Sequence, residues 1–450
     1  MVATIRSGSI NLLNTIIGAG ILAMPFGLKS NGIVFGSFLI IWSGLTSSFG
    51  LYLQTKVSKY TDQQDAVSFF SLSQLTYPSL SVVFDAAIAI KCFGVGVSYL
   101  VIIGDLMPQI MSVFQFEGLW ISRNLWISVF FLGIIPLSYL RKLDSLKYTS
   151  IVALISVVYL IVIVLMHFFD DSHQGVEVDF WGPISIQSTL KSFPILVFAY
   201  TCHQNMFAII NELRPTESGS KTRQSNIIIR TAISIACACY LTVGIAGYFT
   251  FGKAVNGNII SMYPQSISST IGRLCIVVMV ALSYPLQCHP CRGSLNHVIF
   301  FIREKVKNYK QPNTETENLM NDAEESFDES FISTTPMEGS HDTDGHDPIV
   351  VPLTSKDFYM ITTGILVASY LLAITVTSLE HVLAFVGSTG STSISFILPG
   401  LFGYLLIIPK DRKPTTLELL CRYGGLALCI WGVLVMIVCL SATIFLGATH

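Results

Sequence analysis

The chain has 450 residues, of which 52% are hydrophobic and only 12% are charged, and its formal net charge is −2. Soluble domains carry roughly a quarter charged residues, so this chain cannot cover a water-facing surface with polar side chains. The composition excludes a soluble globular protein, and no nucleic-acid partner is expected. It predicts an all-α protein that crosses the lipid membrane many times.

Uninterrupted apolar stretches of about 20 residues mark the helices that can cross a bilayer. The first stretch begins directly after Arg6 and lacks a small-residue cleavage pattern, so it is predicted to be retained as a span. Residues 1–301 are predicted to hold transmembrane helices one to eight, and residues 358–450 helices nine to eleven. The eleven predicted spans are 7–28, 33–55, 82–113, 123–140, 149–169, 189–212, 226–250, 271–300, 358–378, 382–408 and 423–447.

The distribution of Lys and Arg predicts the orientation in the membrane, because positive residues concentrate in cytosolic loops. With the N-terminus in the cytosol, 18 of the 26 basic residues fall on the cytosolic side. The opposite side holds Lys29, Arg123, Lys191, Lys253 and Arg273, and its segment 170–179 has four acids and no Lys or Arg. The N-terminus is therefore predicted to be cytosolic and the C-terminus to lie on the opposite, lumenal side.

One predicted cytosolic loop, residues 302–357, differs from the others. Its central part, 311–355, carries eleven acids and no Lys or Arg, and is rich in Ser, Thr, Asn and Pro. Such a composition cannot bury enough apolar surface to order itself, so we expect a disordered tether. Phosphorylation of its Ser and Thr residues, with a regulatory role, is the alternative.

The first span contains glycines near its centre, in "NTIIGAGILAMP", residues 14–25. Gly18 and Gly20 either let another helix approach closely or break the helix. The two-residue spacing does not place both glycines on one face, and Pro25 follows two turns after Gly18, so the pattern favours a break. A break exposes amide N–H groups at the start of the second half-helix, which suit a carboxylate.

The sixth span is interrupted as well, five spans after the first. It carries Pro194 early and a polar cluster, residues 200–204, at its centre. Transporters built from inverted repeats have paired breaks of this kind near the middle of the membrane. The sequence therefore predicts two inverted repeats of five helices, plus one extra helix.

Several motifs occur in order along the chain: "NTIIGAGILAMPFGL", "KCFGVGVSYLVIIGDLMPQI", "FAYTCHQNMFAIINEL", "YPLQCHPCRGSLN" and "FVGSTGSTSISFILPGLFGY". With these motifs the chain resembles the amino acid/auxin permease family, and within it the fungal vacuolar exporters of acidic amino acids. The resemblance implies a LeuT-like fold of eleven spans in the vacuolar membrane. It also implies amino acid substrates, glutamate or aspartate among them, and coupling to an ion gradient, usually of protons.

The two predicted breaks supply the expected contacts with such a substrate. Its carboxylate would meet the amides around Gly18–Gly20, and its ammonium would meet carbonyls that the second break exposes. Asn14, one turn before the first break, could instead help to hold a cation. The predicted substrate-binding residues are Asn14, Gly18, Ala19, Gly20, Phe198, Ala199 and Tyr200.

Three further polar residues are predicted to take part in ion coupling. Lys91 lies roughly 13 Å into the third span, at 1.5 Å per residue. It either forms a structural pair with Asp85 or an acid on another span, or places a fixed positive charge near the site. His203 can titrate between an acidic lumen and a neutral cytosol, because the ordinary pKa of histidine is about 6.5, although it could equally be a satisfied core residue. Ser283 stands where sodium-coupled members of the family are similar in carrying a hydroxyl ligand.

The sequence therefore predicts a secondary active transporter that moves amino acids out of the vacuole with protons. The alternatives are a membrane-embedded amino acid sensor and a sodium-coupled transporter. An enzyme is not predicted, because no nucleotide loop or oriented nucleophile is present. We expect no cofactor and no metal, because the pair Cys288 and Cys291 has no matching second pair. Besides the substrate and ions, only membrane lipid is an expected partner.

The charge asymmetry makes a prediction about topology. Protease added to the cytosolic side of intact vacuoles should cleave the chain within 311–355, because that segment is predicted to be unstructured and cytosolic. Immunoblotting of the fragments measures this. If cleavage begins only after the vacuolar membrane is permeabilised, the segment is lumenal and the orientation is the opposite of the one predicted.

Overall fold

The computed structural model describes residues 4–60, 67–77, 80–140, 149–169, 176–214, 220–310, 353–409 and 412–447, and this part of the chain consists of helices and short connecting segments, with no β-strand. Its first eight α-helices are α1 (Ile5–Ile16), α2 (Met24–Asn31), α3 (Ile33–Val57), α4 (Phe69–Thr76), α5 (Ser81–Val113), α6 (Arg123–Ser138), α7 (Thr149–Phe168) and α8 (Ile186–Ala199). The others are α9 (His203–Glu212), α10 (Lys221–Phe251), α11 (Ile259–Met262), α12 (Ile267–Lys310), α13 (Ser355–Thr375), α14 (Leu379–Val386), α15 (Leu398–Leu406) and α16 (Thr416–Gly447).

The helices confirm an all-α membrane protein. Within the described ranges, nine helical segments are long and apolar enough to cross a bilayer, and α1 with the helical segment Ala19–Asn31 forms a tenth candidate that is bent by 47°. The remaining predicted span corresponds to α6, which is apolar but only 16 residues long. The count of eleven spans and the inverted repeat therefore stay predictions.

The spans differ in how far the protein itself buries them. In α5 and in the α8–α9 span, 83% of the most apolar window is buried inside the protein, whereas in α16 the share is 28%. The span formed by α5 and the span formed by α8 and α9 therefore lie at the centre of the protein, and helices such as α16 surround them. Polar side chains on α5, α8 and α9 are thus kept away from lipid, where an unpaired polar group is most costly.

The eighth span extends further than its apolar stretch indicates. Helix α12 continues to Lys310, past the predicted start of the acidic loop at 302, and α13 begins at Ser355. The added residues, "REKVKNYK", are mostly good helix formers, so the helix persists beyond the hydrophobic region. Residues 311–352 lie outside the described ranges, so the predicted disorder and phosphorylation there are not tested.

Candidate functional site

The first span is broken where its glycines predict. Helix α1 ends at Ile16, a short 3₁₀ helix covers Ala19–Ala23, and α2 begins at Met24. Gly18 precedes the 3₁₀ helix and donates its N–H to the carbonyl of Ile16 at 3.0 Å. The first two N–H groups of such a helix, on Ala19 and Gly20, have no acceptor within it. Two backbone donors are therefore offered at the break.

The two glycines serve different purposes. A Cβ atom added to Gly20 would lie 2.7 Å from Cβ and 2.8 Å from Cα of Ala199, which is too close for any side chain. A Cβ atom added to Gly18 would meet only the hydroxyl of Tyr99, at 3.6 Å. The packing interpretation therefore holds for Gly20, which allows the close approach of the two spans. The break interpretation holds for Gly18, which lies between α1 and the 3₁₀ helix.

The second break separates α8 from α9 and leaves residues 200–202 outside both helices. The carbonyls predicted to bind the ammonium lie at the end of α8 and in this break. The Phe198 carbonyl already accepts the amide N–H groups of both Tyr200 and Thr201. The Tyr200 carbonyl accepts one hydrogen bond, from the Ser47 hydroxyl at 3.1 Å, and with two lone pairs it can accept one more donor.

Tyr240 joins the two breaks. Its hydroxyl oxygen lies 2.8 Å from the carbonyl oxygen of Ile16 and 2.7 Å from that of Ala199, and its side chain is fully buried. A hydroxyl has one proton, so it donates to only one of these carbonyls at a time. The sequence interpretation missed Tyr240. The only available signal was a phenol at membrane depth, which needs a polar partner.

Polar bonds on either side of this junction fix the broken spans to each other. On the side of α1, the Asn205 amide donates at 2.9 Å to the hydroxyl of Thr15, in the last turn of α1. On the side of α2, the Asn31 amide donates to the Ser192 hydroxyl at 2.8 Å. Hydrogen bonds therefore hold the two broken spans together on both sides of the junction.

Lys91 does not form the predicted pair with Asp85. Asp85 lies 3.3 Å from His297 instead, and no carboxylate in the described ranges is within ion-pair distance of Lys91. Six residues along a helix correspond to about one and two-thirds turns, so Lys91 and Asp85 point to different sides of α5. Lys91 is 3% exposed, and Cys202 and His203 at the second break are near enough to feel its charge when it is protonated.

His203 begins α9 and is fully buried at the second break. Its Nε2 atom lies 3.1 Å from the carbonyl oxygen of Ser47, so Nε2 must carry the proton and donate it. Among the described residues, its Nδ1 atom has no hydrogen-bond partner. The neutral ring therefore keeps one acceptor atom that can take up a proton.

Of the two residues considered as ligands of a sodium ion, Ser283 lies outside the bonds by which Tyr240 joins the breaks. Ser283 is half-buried on α12, next to Tyr284, whose hydroxyl is hydrogen-bonded to Ser369. Asn14 is half-buried in α1, and it has a partner of its own. The network at the junction instead uses Tyr240, together with Ser47 of α3.

The small-residue stretch of the tenth span is a π-helix over Gly387–Ser391 and Ser393–Ile397. A Cβ atom added to Gly390 would lie 2.8 Å from Cβ of Lys91, and one added to Gly387 would overlap the Pro194 carbonyl. Ser395 donates to the Thr201 hydroxyl at 3.2 Å. The stretch is packed between Lys91 and the second break, and π-helical turns are frequent at functional sites.

Comparisons with known proteins cover nearly the whole chain. The family described as "Transmembrane amino acid transporter protein" matches residues 1–438. Vacuolar amino acid transporter 6 of Saccharomyces cerevisiae is 46% identical over 458 residues, which cover 99% of this chain and 100% of that protein. Vacuolar amino acid transporter 5 of the same yeast is 43% identical, with 100% of both chains covered. Vacuolar amino acid transporter 5 of Schizosaccharomyces pombe is 40% identical, with 97% of this chain and 94% of that protein covered.

The different roles of the two glycines predict different effects of the same substitution. Gly20→Ala should destabilise the protein by about 1–3 kcal/mol, because the new methyl group has no space against Ala199. Gly18→Ala should be far milder, because only the Tyr99 hydroxyl is near. Thermal unfolding of the purified protein in detergent measures this. Gly364→Ala is the matched control, because nothing lies within 4 Å of the added Cβ atom. Equal unfolding temperatures for all three variants would contradict the close packing at Gly20.

The bridging hydroxyl of Tyr240 makes a second prediction. Tyr240→Phe should lower stability by about 1–3 kcal/mol, because it leaves the buried carbonyl of Ala199 without its donor. The same thermal assay applies, with Tyr423→Phe as the control, since Tyr423 is 60% exposed. If the two variants unfold at the same temperature, Tyr240 does not join the breaks.

Proposed function

Because the chain belongs to the family of transmembrane amino acid transporter proteins, we propose that it exports amino acids from the vacuole to the cytosol by secondary active transport, coupled to protons. Family membership confirms the resemblance to the amino acid/auxin permease family and makes the chain a transporter, not an enzyme. The vacuolar membrane is proposed because the relatives that match almost the full chain are named as vacuolar amino acid transporters.

The observation that carries the proposal is the meeting of two helix breaks with opposite polarity. Ala19 and Gly20 offer backbone donors, which suit a carboxylate. Ala199 ends α8, where the carbonyls carry partial negative charge that suits an ammonium. The α-carboxylate and α-ammonium of an amino acid are attached to one carbon atom, so they need both polarities within a few ångströms. The approach of Gly20 to Ala199 provides this arrangement.

Binding at this junction requires movement. Gly20 and Ala199 are in contact, and the Tyr240 hydroxyl is hydrogen-bonded to the carbonyl of Ala199. An amino acid can therefore bind only when the two broken spans separate locally, and its ammonium then competes with the Tyr240 proton for the same oxygen. Such a rearrangement of one helix bundle against another is how transporters with paired breaks expose a site to each side in turn.

Lys91 supports an acidic substrate, such as glutamate or aspartate. A buried ammonium without a carboxylate is costly, and a second carboxylate on the substrate would offset that cost. Lys91 is buried near the second break, so a side-chain carboxylate bound between the breaks and α5 would be the natural partner of its ammonium form.

His203 supports coupling to protons. Protonation of Nδ1 places a positive charge close to Lys91, and the two cations repel each other. A substrate carboxylate near Lys91 reduces this repulsion, so an acidic amino acid and a proton promote each other's binding. Reciprocal binding of this kind is what a symporter needs, because a ligand shifts a conformational equilibrium only through differential affinity.

Transport assays on the purified chain in lipid vesicles test the proposal. A pH difference of one unit can sustain roughly a tenfold substrate gradient per proton. Labelled glutamate should therefore leave the acidic side faster when the pH gradient is imposed, with no requirement for sodium. His203→Gln should abolish this acceleration but largely preserve exchange of labelled for unlabelled glutamate, because the binding groups remain.

His381→Gln is the matched control, because His381 is exposed at the start of α14. It should keep the acceleration of the unmodified protein. Full acceleration in His203→Gln would place the coupling group elsewhere. Binding of glutamate without any flux would favour the sensor, and flux that follows sodium instead of pH would favour sodium coupling.

A further inference from the structure

A second polar site lies away from the junction, on the membrane face opposite the N-terminus. A cavity of about 360 Å³ opens between the C-terminal part of α5, the segment before α11 and the start of α14. Its lining is polar apart from Leu379 and includes two carboxylates, those of Asp105 and Glu380. The residues proposed for transport do not line this cavity.

The cavity has an excess of negative charge. Arg123 is the one basic group that contacts its carboxylates in the described ranges, with Nε 3.5 Å from Asp105. The other two nitrogens of Arg123 donate to the carbonyls of Ala373 and Val376, each at 2.9 Å. Arg123 is therefore used mainly to hold the end of α13, and within the described part of the chain Glu380 has no cationic partner.

Two buried amide oxygens in the cavity lack partners. Asn258 is 4% exposed, and its amide group is directed at the carboxylate of Asp105. Within the described part of the chain, neither the Oδ1 atom of Asn258 nor the Oε1 atom of Gln109 has a hydrogen-bond partner. Buried polar atoms are almost always satisfied, so these two acceptors suit a ligand that brings several donors.

The size and chemistry of the cavity select the class of ligand. Its volume is far above the roughly 30 Å³ that one water molecule occupies, and it lies in the range of small-molecule sites. The described residues contain no group of three or more His, Cys, Asp or Glu that could hold a metal ion. An organic cation with several N–H donors fits the carboxylates and amide oxygens better than a bare ion.

We propose that this cavity binds a basic amino acid or a related organic amine, separately from the transport site. The cationic side chain would lie between Asp105 and Glu380, and the oxygens of Asn258 and Gln109 would accept its remaining N–H groups. Gly257 permits this geometry, because a Cβ atom there would collide with the side chain and backbone of Glu380. The inference does not depend on which amino acid is transported.

Binding of labelled arginine to the full chain in lipid nanodiscs tests the proposal. Glu380→Gln should weaken arginine binding at least about tenfold, because it removes the carboxylate that lacks a partner. Glu177→Gln is the matched control, since Glu177 is an exposed carboxylate paired with Lys253 on the same face. Equal arginine affinity in Glu380→Gln and Glu177→Gln would overturn the assignment.

Thr377 is exposed at the rim of the cavity, so substitutions there should not disturb folding, and they test the proposal a second time. Thr377→Asp should tighten arginine binding and Thr377→Lys should weaken it, because the two variants change the local charge in opposite directions. Displacement of arginine by equimolar sodium or calcium would overturn the organic-cation class. Loss of binding in Lys91→Ala but not in Glu380→Gln would place arginine at the transport site and also overturn the proposal.

Discussion

The contact between Gly20 and Ala199, with the Tyr240 hydroxyl beside it, is the arrangement on which the rest of the site depends. Non-helical backbone survives inside a membrane only where the protein satisfies its polar groups or lines a cavity with them. Here Tyr240 serves carbonyls of both breaks, and Ser47 of α3 supports the second one by donating to Tyr200 and accepting from His203. In our proposal, the amides at the start of the 3₁₀ helix bind the substrate carboxylate.

Charge at the second break follows from the same geometry. Lys91 and His203 are both buried, and they lie on different spans. Two cations cannot be accommodated there without an anion, so in our proposal the substrate determines whether the proton binds. The π-helical stretch that packs against Lys91 and approaches the second break connects this pair to a third span.

The sequence predicted the features that follow from local composition. The positions of the long apolar helices, the break at Gly18 and the interruption after Ala199 all follow from hydropathy, glycine and polar residues within a single segment. It did not predict the role of Tyr240 or the pairing of Asp85 with His297, because these contacts join residues far apart in the chain. Nor did it predict that Gly20, unlike Gly18, is required for packing, since that difference depends on Ala199 of another span.

The most direct test of the central claim is a structure of the full chain in lipid, determined by electron cryomicroscopy with glutamate bound. The proposal predicts ligand density between the two breaks, with the α-carboxylate about 3 Å from the amide nitrogens of Ala19 and Gly20. The Tyr240 hydroxyl should then have moved away from the Ala199 carbonyl. Glutamate bound elsewhere, with the contact between Gly20 and Ala199 unchanged, would contradict the claim.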